Sequence, residues 1–332
     1  MSAAQRLDEV FGLPCGSAVI VRNDPETKVP IAIMDGTLIS TIRTGAVTGV
    51  CAKYMAPSRS KTVGLFGAGP QCKTQLMALK ASLPQLEKAY VYDLSRERAE
   101  KFAAEMLQKL NMDVQAAASD RLATIESGDI LVTATTATEP IIHGAEIKKG
   151  VYVAHLGNNE VDEELILRAD KVVIDDWEND KHRMGDTMAY MFRDGKIDDS
   201  RIDASVSDLV AGRKSGRGND DQLTYTCNVG LGLYDVAIAA RLPVCQGKRH
   251  RPEAQALGRA HHGVIDPNLI GTTSLYQPFG QVRFLAGLST FFRGRAAGEM
   301  HLQGDFAFTE DDSVNIMDAD KIWRRCEKAA LR

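Results

Sequence analysis

The feature that most constrains the fold is a glycine-rich turn between an apolar run and a helix-like segment, KTVGLFGAGPQCKTQL. The apolar run ends at Phe66, Gly67-Ala68-Gly69 makes the turn, and a helix is predicted to begin near Gln71. Gly67 permits a tight turn, and Gly69 lets the backbone approach a pyrophosphate, which the N–H groups and dipole of a helix N-terminus attract. Cys72, in the third position of the motif, is small enough for close helix–strand packing. The pattern predicts a dinucleotide-binding unit.

Repeated strand–helix units follow the same pattern along the middle of the chain. The predicted strands are TVGLFG, AYVYD, DILVTAT, VYVAHLG and KVVIDD. Each is short, apolar and rich in β-branched residues, as expected for strands that are covered on both faces. Helical stretches such as Gln71–Ala81 and Arg96–Leu110 lie between them. This alternation predicts an α/β fold with a doubly wound parallel sheet of the Rossmann type.

Further elements are predicted on both sides of these units. Residues 17–33 read as two strands around a turn at Asn23-Asp24-Pro25, and a helix is expected from about Thr41 to Met55. Residues 223–241 read as a glycine turn that leads into an apolar helix.

Asp93 ends the strand after the glycine turn, where an acid meets the ribose 2′-hydroxyl of NAD in such units. The alternative is a helix N-cap before SRERAEKF. An acid here repels a 2′-phosphate and Leu94 offers no positive charge, which favours NAD(H) over NADP(H). Arg96 and Arg98 are near enough in sequence to keep NADP(H) open.

Composition excludes several function classes. A formal net charge of -4 provides no field to attract nucleic acid or an anionic membrane. The first residues lack an apolar signal core and no run is long enough to cross a bilayer, so a cytoplasmic location is expected. Six cysteines are scattered singly, which predicts free thiols and no metal site.

Four segments, in order, resemble the ornithine cyclodeaminase/mu-crystallin family over about residues 12–242. They are PIAIMDGTLISTIRTGAV, VGLFGAGPQ, TATTATEPII and TYTCNVGLGLYDVAIAA. The resemblance implies hydride transfer between a nicotinamide and the α-carbon of a small amino or imino acid. It also implies a Rossmann domain and a second, smaller domain that forms a homodimer and is incomplete in this chain. The division that it implies is a partial substrate or dimerisation domain (1–56), a Rossmann domain (57–222), a helix returning to the N-terminal domain (223–242) and an aberrant or disordered tail (243–332).

The resemblance also implies roles for individual residues. Arg43 is expected to bind the substrate carboxylate, for which its planar fork is suited; the alternative is a surface arginine on a helix. Thr44 is expected to contact a cofactor phosphate, and Asn228 lies where the family often has a serine near the nicotinamide. The remaining expected cofactor contacts are Gly67, Ala68, Gly69 and Gln71 in the pyrophosphate loop, Thr135, Thr136 and Ala137 beside the nicotinamide half, and Leu156 and Gly157 after the next strand. The two threonines and Ala137 could equally be turn residues.

The chain departs from the family in three places. Asn158 stands where cyclodeaminases carry a catalytic aspartate, and an amide cannot act as a general base; Glu160 or Asp162 could substitute if the loop shifts. The chain starts just before Gly12, so the family's earlier acid, arginine and lysine have no counterpart and impaired activity is expected. After Leu242 the resemblance stops, which suggests either a reading-frame slip or a lineage-specific extension.

These observations leave two functions open. One is an NAD(H)-dependent oxidoreductase or cyclodeaminase that acts on a small L-amino acid or cyclic imino acid. The other is a catalytically impaired NAD-binding relic, or a binding protein like mu-crystallin. His155, at a strand end, is either functional or a packed core histidine, and residues 177–186 are expected to form a solvated helix start.

Overall fold

The structure is a computed structural model of the chain, and it describes residues 16–117 and 120–241. The described residues fall into two units, a hairpin (Val19–Asp35) and an α/β unit (Gly36–Arg241). The expected features around Gly12, in the tail after Leu242 and at Cys15, Cys245 and Cys326 lie outside the described residues. The proposed division into four segments stays a prediction.

The hairpin consists of two antiparallel strands, β1 (Val19–Asn23) and β2 (Pro30–Asp35). The turn is built as predicted, because the Asp24 carboxylate accepts hydrogen bonds from the N–H groups of Glu26 and Thr27. Lys28 takes a positive φ of 64°, which completes the turn.

The α/β unit contains a parallel eight-stranded sheet in the order β5-β4-β3-β6-β7-β10-β8-β9. Its strands are β3 (Thr62–Phe66), β4 (Lys88–Tyr92), β5 (Asp113–Ala116), β6 (Ile130–Thr133), β7 (Tyr152–His155), β8 (Lys171–Ile174), β9 (Ala204–Ser205) and β10 (Thr224–Cys227). All five predicted strands are present, and the Rossmann-type fold is confirmed. β10 was not predicted: the segment read as a glycine turn contains a central strand that pairs with both β7 and β8.

The helices of this unit cover both faces of the sheet. They are α1 (Thr37–Met55), α2 (Pro70–Ser82), α3 (Arg96–Leu110), α4 (Arg121–Ser127), α5 (Glu163–Arg168), α6 (Trp177–Asp180), α7 (Thr187–Arg193), α8 (Val206–Val210) and α9 (Gly232–Ala239). α1 begins four residues before the predicted Thr41, with Gly36 at its N-cap. Among these helices we find none with the length and hydrophobicity needed to span a bilayer.

Two buried cores lie on opposite faces of the sheet, because successive residues of a strand point to opposite sides. One core joins Leu65, Val91 and Tyr152 to α1, α2 and α3, and the other joins Phe66, Val153 and Tyr225 to α5 and α7. α1 packs closely on α2: a Cβ on Gly45 would lie 2.5 Å from the Thr74 carbonyl oxygen. The position of α2 and its glycine turn is therefore fixed by α1 as well as by the sheet.

Candidate functional site

Most of the predicted cofactor residues lie at or just after the carboxyl ends of the parallel strands, whereas Arg43 and Thr44 lie on α1. β3 pairs with β4 on one side and β6 on the other, so successive connections leave this point in opposite directions. Open α/β sheets bind their ligands in the crevice at such a switch point. The glycine turn follows β3 and the threonine loop follows β6, so both border it.

The glycine turn has the backbone geometry that the sequence predicts. Gly67 has a φ of +100°, and a Cβ there would lie 2.8 Å from the Ala134 carbonyl oxygen. Gly69 is the N-cap of α2, no side chain caps the helix, and a Cβ at Gly69 would meet nothing within 4 Å. The helix begins at Pro70, one residue before the predicted Gln71. An open approach to an uncapped helix N-terminus suits a phosphate group.

Two buried polar groups beside this turn have no partner within the described residues. They are the Gln71 Oε1 atom on α2 and the Thr133 Oγ1 atom at the end of β6. A buried acceptor or hydroxyl without a hydrogen bond carries a free-energy cost. Both atoms lie on elements that border the switch point, and a ligand with hydroxyl or amide groups would suit them.

Asp93 joins the end of β4 to the glycine turn. Its Oδ2 atom accepts a hydrogen bond from the Ala68 N–H at 2.8 Å, and its Oδ1 atom accepts one from the Ser95 N–H at 2.9 Å. The cap of α3 is Ser95, whose hydroxyl accepts from the Arg98 N–H. The alternative role of Asp93 as that N-cap is therefore wrong. Arg98 Nε lies 3.9 Å from Asp93 Oδ1, while Arg96 pairs with Glu100.

The loops after β6 and β7 carry the other predicted cofactor residues. Thr135 lies half-buried, Thr136 is exposed, and Ala137 donates its N–H to the Thr135 hydroxyl. Leu156 and Gly157 follow β7 directly and are half-buried. The adjacency of β6 and β7 places these two loops side by side.

Arg43 lies on α1 and its side chain is already paired. Its Nε atom is 3.1 Å from Asp235 Oδ1 on α9, and its Nη2 atom donates to the Ser40 hydroxyl. A Cβ on Gly230 would collide with its guanidinium group. The side chain is only 12% exposed, so the alternative of an ordinary surface arginine does not fit.

Thr44, the next residue, is buried and its hydroxyl donates to the Ser40 carbonyl oxygen one turn earlier. Asn228 is also buried; its amide donates to the hydroxyls of Thr48 and Thr226, and its Oδ1 atom accepts from the Cys51 thiol. Both side chains therefore have hydrogen-bond partners inside the protein. Their predicted contacts to a cofactor stay predictions.

The three polar residues that the sequence offers after Gly157 lie in different environments. Asn158 is exposed and accepts from Arg183 Nη2 at 3.3 Å. Glu160 is fully buried and bonded to Thr135 and Gly157, and Asp162 caps α5 and accepts from the Gly144 N–H. Both carboxylates are engaged in these bonds, and their substitution for the aspartate of the cyclodeaminases stays a prediction.

Buried carboxyl groups collect beyond the ends of β8 and β10. Asp175 is almost fully buried and accepts from the Gly230 N–H at 2.7 Å, and burial raises its pKa to about 6. The pKa of Asp180 is raised to about 7, mainly by burial and further by the nearby carboxylates of Asp175 and Asp186. The Asp180 Oδ2 atom has no partner within the described part of the chain. Sequence reasoning did not single out either residue, because their acidity depends on contacts between distant segments.

His155, Asp186 and Cys227 form a buried polar cluster in which one potential metal-ligand atom from each lies within 4.8 Å of the others. The Cys227 thiol donates to Asp186 Oδ2 at 3.6 Å, and Asp186 Oδ1 caps α7. His155 Nδ1 shares a hydrogen bond with the Tyr225 hydroxyl at 2.7 Å. These hydrogen bonds involve every polar side-chain atom of the cluster except His155 Nε2. They fit the interpretation of His155 as a packed core histidine. The thiols of Cys51, Cys72 and Cys227 are free, as predicted, and the structure shows that all three are buried.

The chain is similar in sequence to a known protein family and to characterised enzymes. The family model described as "Ornithine cyclodeaminase/mu-crystallin family" matches residues 2–242. The N-((2S)-2-amino-2-carboxyethyl)-L-glutamate dehydrogenase of Staphylococcus aureus is 30% identical over 223 residues, which are 67% of this chain and 66% of the relative. The chain thus spans slightly less than two thirds of that relative's length.

Two solved structures have the same fold. The Thermococcus litoralis Delta(1)-pyrroline-2-carboxylate reductase, in complex with NADH and L-proline, is 37% identical with a TM-score of 0.64; the match covers 69% of this chain and 72% of that one. An archaeal alanine dehydrogenase dimer with bound NAD is 30% identical with a TM-score of 0.65, covering 70% and 72%. The chain therefore belongs to the ornithine cyclodeaminase/mu-crystallin family.

Proposed function

We propose that this chain binds NAD(H) and is an oxidoreductase for a small L-amino acid or cyclic imino acid. The observation that carries the proposal is the open, uncapped N-terminus of α2 behind Gly67 and Gly69, with Asp93 bonded to the same turn. The partnerless Gln71 Oε1 atom beside it fits a polar ligand. The pyrroline-2-carboxylate reductase and alanine dehydrogenase named above carry NADH or NAD, which supports the same cofactor.

Each part of the cofactor has residues suited to it. The backbone of Gly67–Gly69 and the first turn of α2 would hold the pyrophosphate, and Asp93 would accept from the adenosine ribose. Thr135–Ala137 and Leu156–Gly157 would border the nicotinamide. When bound, the nicotinamide would supply the hydride chemistry, and the protein would supply orientation.

Arg43 is the proposed partner of the substrate carboxylate. It has a fork of N–H donors at the α1–α9 contact, and Asp235 holds its Nε atom. An arginine held on one edge can still offer its outer nitrogens to a carboxylate. A homodimer and an amino-acid substrate are part of the same proposal, supported by the dimeric alanine dehydrogenase and the L-proline complex.

A second candidate is an NAD-binding protein with little or no catalysis. Two observations favour it: Arg43 is already engaged by Asp235 and Ser40, and Asn158 is paired with Arg183. An amide at position 158 cannot accept a proton from a substrate ammonium. Ornithine is therefore expected to be a poor substrate, and Asn158→Asp alone should not create a cyclodeaminase because the new carboxylate would pair with Arg183.

Fluorescence titration with NADH and NADPH tests cofactor binding, and tighter binding of NADPH would contradict the proposal. NADH oxidation is then followed with Δ1-pyrroline-2-carboxylate, and with pyruvate plus ammonia. Turnover with either supports the oxidoreductase, whereas tight NADH binding without turnover of any amino or imino acid supports the second candidate. Release of ammonia from ornithine with NAD at ordinary turnover, on the order of 1–1000 per second, would contradict both.

A further inference from the structure

A buried carboxylate joins two loops at the edge of the sheet where the nicotinamide is proposed to lie. Glu160 is fully buried, and its Oε1 atom accepts from both the N–H and the hydroxyl of Thr135, at 2.5 and 2.6 Å. Its Oε2 atom accepts from the Gly157 N–H at 2.7 Å. Thr135 belongs to the loop after β6 and Gly157 to the loop after β7. One side chain therefore ties these two loops together beyond the point where the pairing of β6 and β7 ends.

The backbone of Glu160 is itself held in place. Its carbonyl oxygen accepts hydrogen bonds from the N–H groups of Ile141 and Ile142, at 2.8 and 3.1 Å. The next residue, Val161, forms a β-bridge with Ile142. The carboxylate thus extends from an anchored segment, so it can restrain the two loops rather than move with them.

The surroundings of the carboxylate are shaped around it. A Cβ at Gly157 would collide with the Glu160 carboxyl group, so only glycine leaves room for it. His155 Nε2 lies 3.7 Å from Oε2, while the other ring nitrogen of His155 bonds to Tyr225. The carboxylate is enclosed by β7 on one side and by Thr135 on the other.

We propose that Glu160 is the positioning residue for the nicotinamide half of the cofactor site. The proposal rests on the NAD(H) binding proposed above. It adds a role for Glu160, which is not among the proposed cofactor contacts. Its two oxygens hold one loop each, so they fix the two walls of this half before the cofactor arrives. Such preorganisation lowers the entropy cost of ordering the loops on binding. The adenosine half, at Gly67–Gly69 and Asp93, has no hydrogen bond to the Glu160 side chain within the described segments.

Glu160→Gln tests the tie between the two loops, because it removes a hydrogen bond to one of them with little change in side-chain volume. A glutamine side chain has one acceptor oxygen and one donor amide, so either Thr135 or Gly157 then faces a donor in place of an acceptor. We expect the Kd for NADH to rise about tenfold, the effect of losing roughly one such hydrogen bond. The Kd for ADP-ribose, which lacks the nicotinamide, should change by less than about twofold, because its proposed contacts make no hydrogen bond to the Glu160 side chain in the described residues.

Asp129→Asn is the matched control at the opposite end of the sheet. Asp129 also joins two strand ends through one carboxylate, since its Oδ2 atom accepts from the N–H groups of Lys61 and Thr62. Loss of the Asp129 carboxylate is expected to change the Kd values for NADH and for ADP-ribose by the same factor. Glu160→Asp provides a second version of the test, because it keeps the carboxylate and shortens the side chain by one methylene, so that it cannot reach both Thr135 and Gly157. It should also weaken the binding of NADH selectively, by about twofold to threefold or more.

The outcomes separate this proposal from the function on which it rests. A selective loss of NADH affinity in Glu160→Gln, or in Glu160→Asp should the first variant not fold, supports the positioning role. Equal losses for NADH and ADP-ribose, or no loss for either, overturn it while cofactor binding stands. A wild-type chain that binds neither ligand overturns the proposed function and this proposal together.

Discussion

Arg43 and Asp235 are 192 residues apart in the chain, yet the Arg43 Nε atom lies 3.1 Å from Asp235 Oδ1. Both side chains are largely buried, at 12% and 15% exposure. A partly buried ion pair of this kind restricts the arginine to one orientation, and Ser40 restricts its Nη2 atom further. The pair links α1 to α9.

Replacing the arginine tests whether it binds a carboxylate. Arg43→Lys keeps the charge but loses the planar fork, so a bidentate contact to a substrate carboxylate cannot form. We expect the KM for Δ1-pyrroline-2-carboxylate to rise by about tenfold or more, with little change in the Kd for NADH. Arg193→Lys, at an exposed pair with Asp194, is the control. An unchanged KM in Arg43→Lys would remove Arg43 from the substrate site.

Asp93 is expected to set the preference between the two cofactors. Asp93→Ala removes the acceptor for a ribose 2′-hydroxyl and the charge that repels a 2′-phosphate. It also frees the Ala68 N–H, so both cofactors should bind more weakly. The Kd for NADH should rise about tenfold or more and that for NADPH less, so the preference narrows. Paired titrations measure the ratio, and Asp113→Ala on β5 is the control. A ratio equal to that of the wild type would contradict the assignment.

Asp180 gives the stability of the protein a pH dependence of defined sign. Its pKa is raised from 3.8 to about 7, so between about pH 4 and pH 7 the folded state holds a proton that the unfolded state has lost. The contribution of Asp180 to the free energy of unfolding therefore falls as the pH rises through this window. Asp180→Asn should stabilise the protein at pH 8 and have little effect at pH 4, as measured by urea unfolding.

Asp220 provides the comparison of opposite sign. Hydrogen bonds from the hydroxyl and N–H of Ser58 lower its pKa. Its stabilising contribution is present above the unfolded-state pKa and is lost as the pH falls through the lower folded value. Asp220→Asn should therefore destabilise the protein at pH 8. Equal effects of Asp180→Asn at both pH values would show that the Asp180 pKa is not raised.

The close contact of α1 and α2 makes a small substitution costly. Gly45→Ala places a methyl carbon 2.5 Å from the Thr74 carbonyl oxygen. This contact is too short, and relieving it requires a shift of the backbone of α1 or α2. Alanine favours a helix by about 1 kcal/mol over glycine, but overpacking of this kind costs about 1–3 kcal/mol. We expect net destabilisation in denaturant unfolding. Gly232→Ala on α9, where a Cβ meets nothing within 4 Å, should be neutral or stabilising.

Local sequence patterns were enough to predict the glycine turn, the place of Asp93 at the end of a strand and the five apolar strands, since each depends on residues close together in the chain. β10 was missed because TYTC looks polar. Its threonines are nevertheless fully buried, since the Thr224 hydroxyl bonds to the Met55 carbonyl oxygen and Thr226 to the Tyr152 hydroxyl. β5 was missed because it is a four-residue edge strand with alternating exposure.

The contacts at the candidate site were less accessible to sequence reasoning. Glu160 was considered only as a possible base, and its bond to Thr135 spans 25 residues. Local periodicity carries no signal for such a contact. The ion pair of Arg43 and the raised pKa values of Asp175 and Asp180 depend on tertiary neighbours in the same way.

The place of β10 in the sheet has a consequence for synthesis of the chain. Thr224 pairs with Tyr152 on one side and Lys171 on the other, so the last strand of the described residues fills the gap between two strands that are synthesised earlier. While the ribosome is still adding residues before 224, β7 and β8 each present an unpaired edge of buried, apolar sequence. Such edges are templates for pairing with other chains. Nascent chains halted before Thr224 should therefore aggregate or recruit chaperones, whereas chains extended past Cys227 can close the sheet and escape that risk.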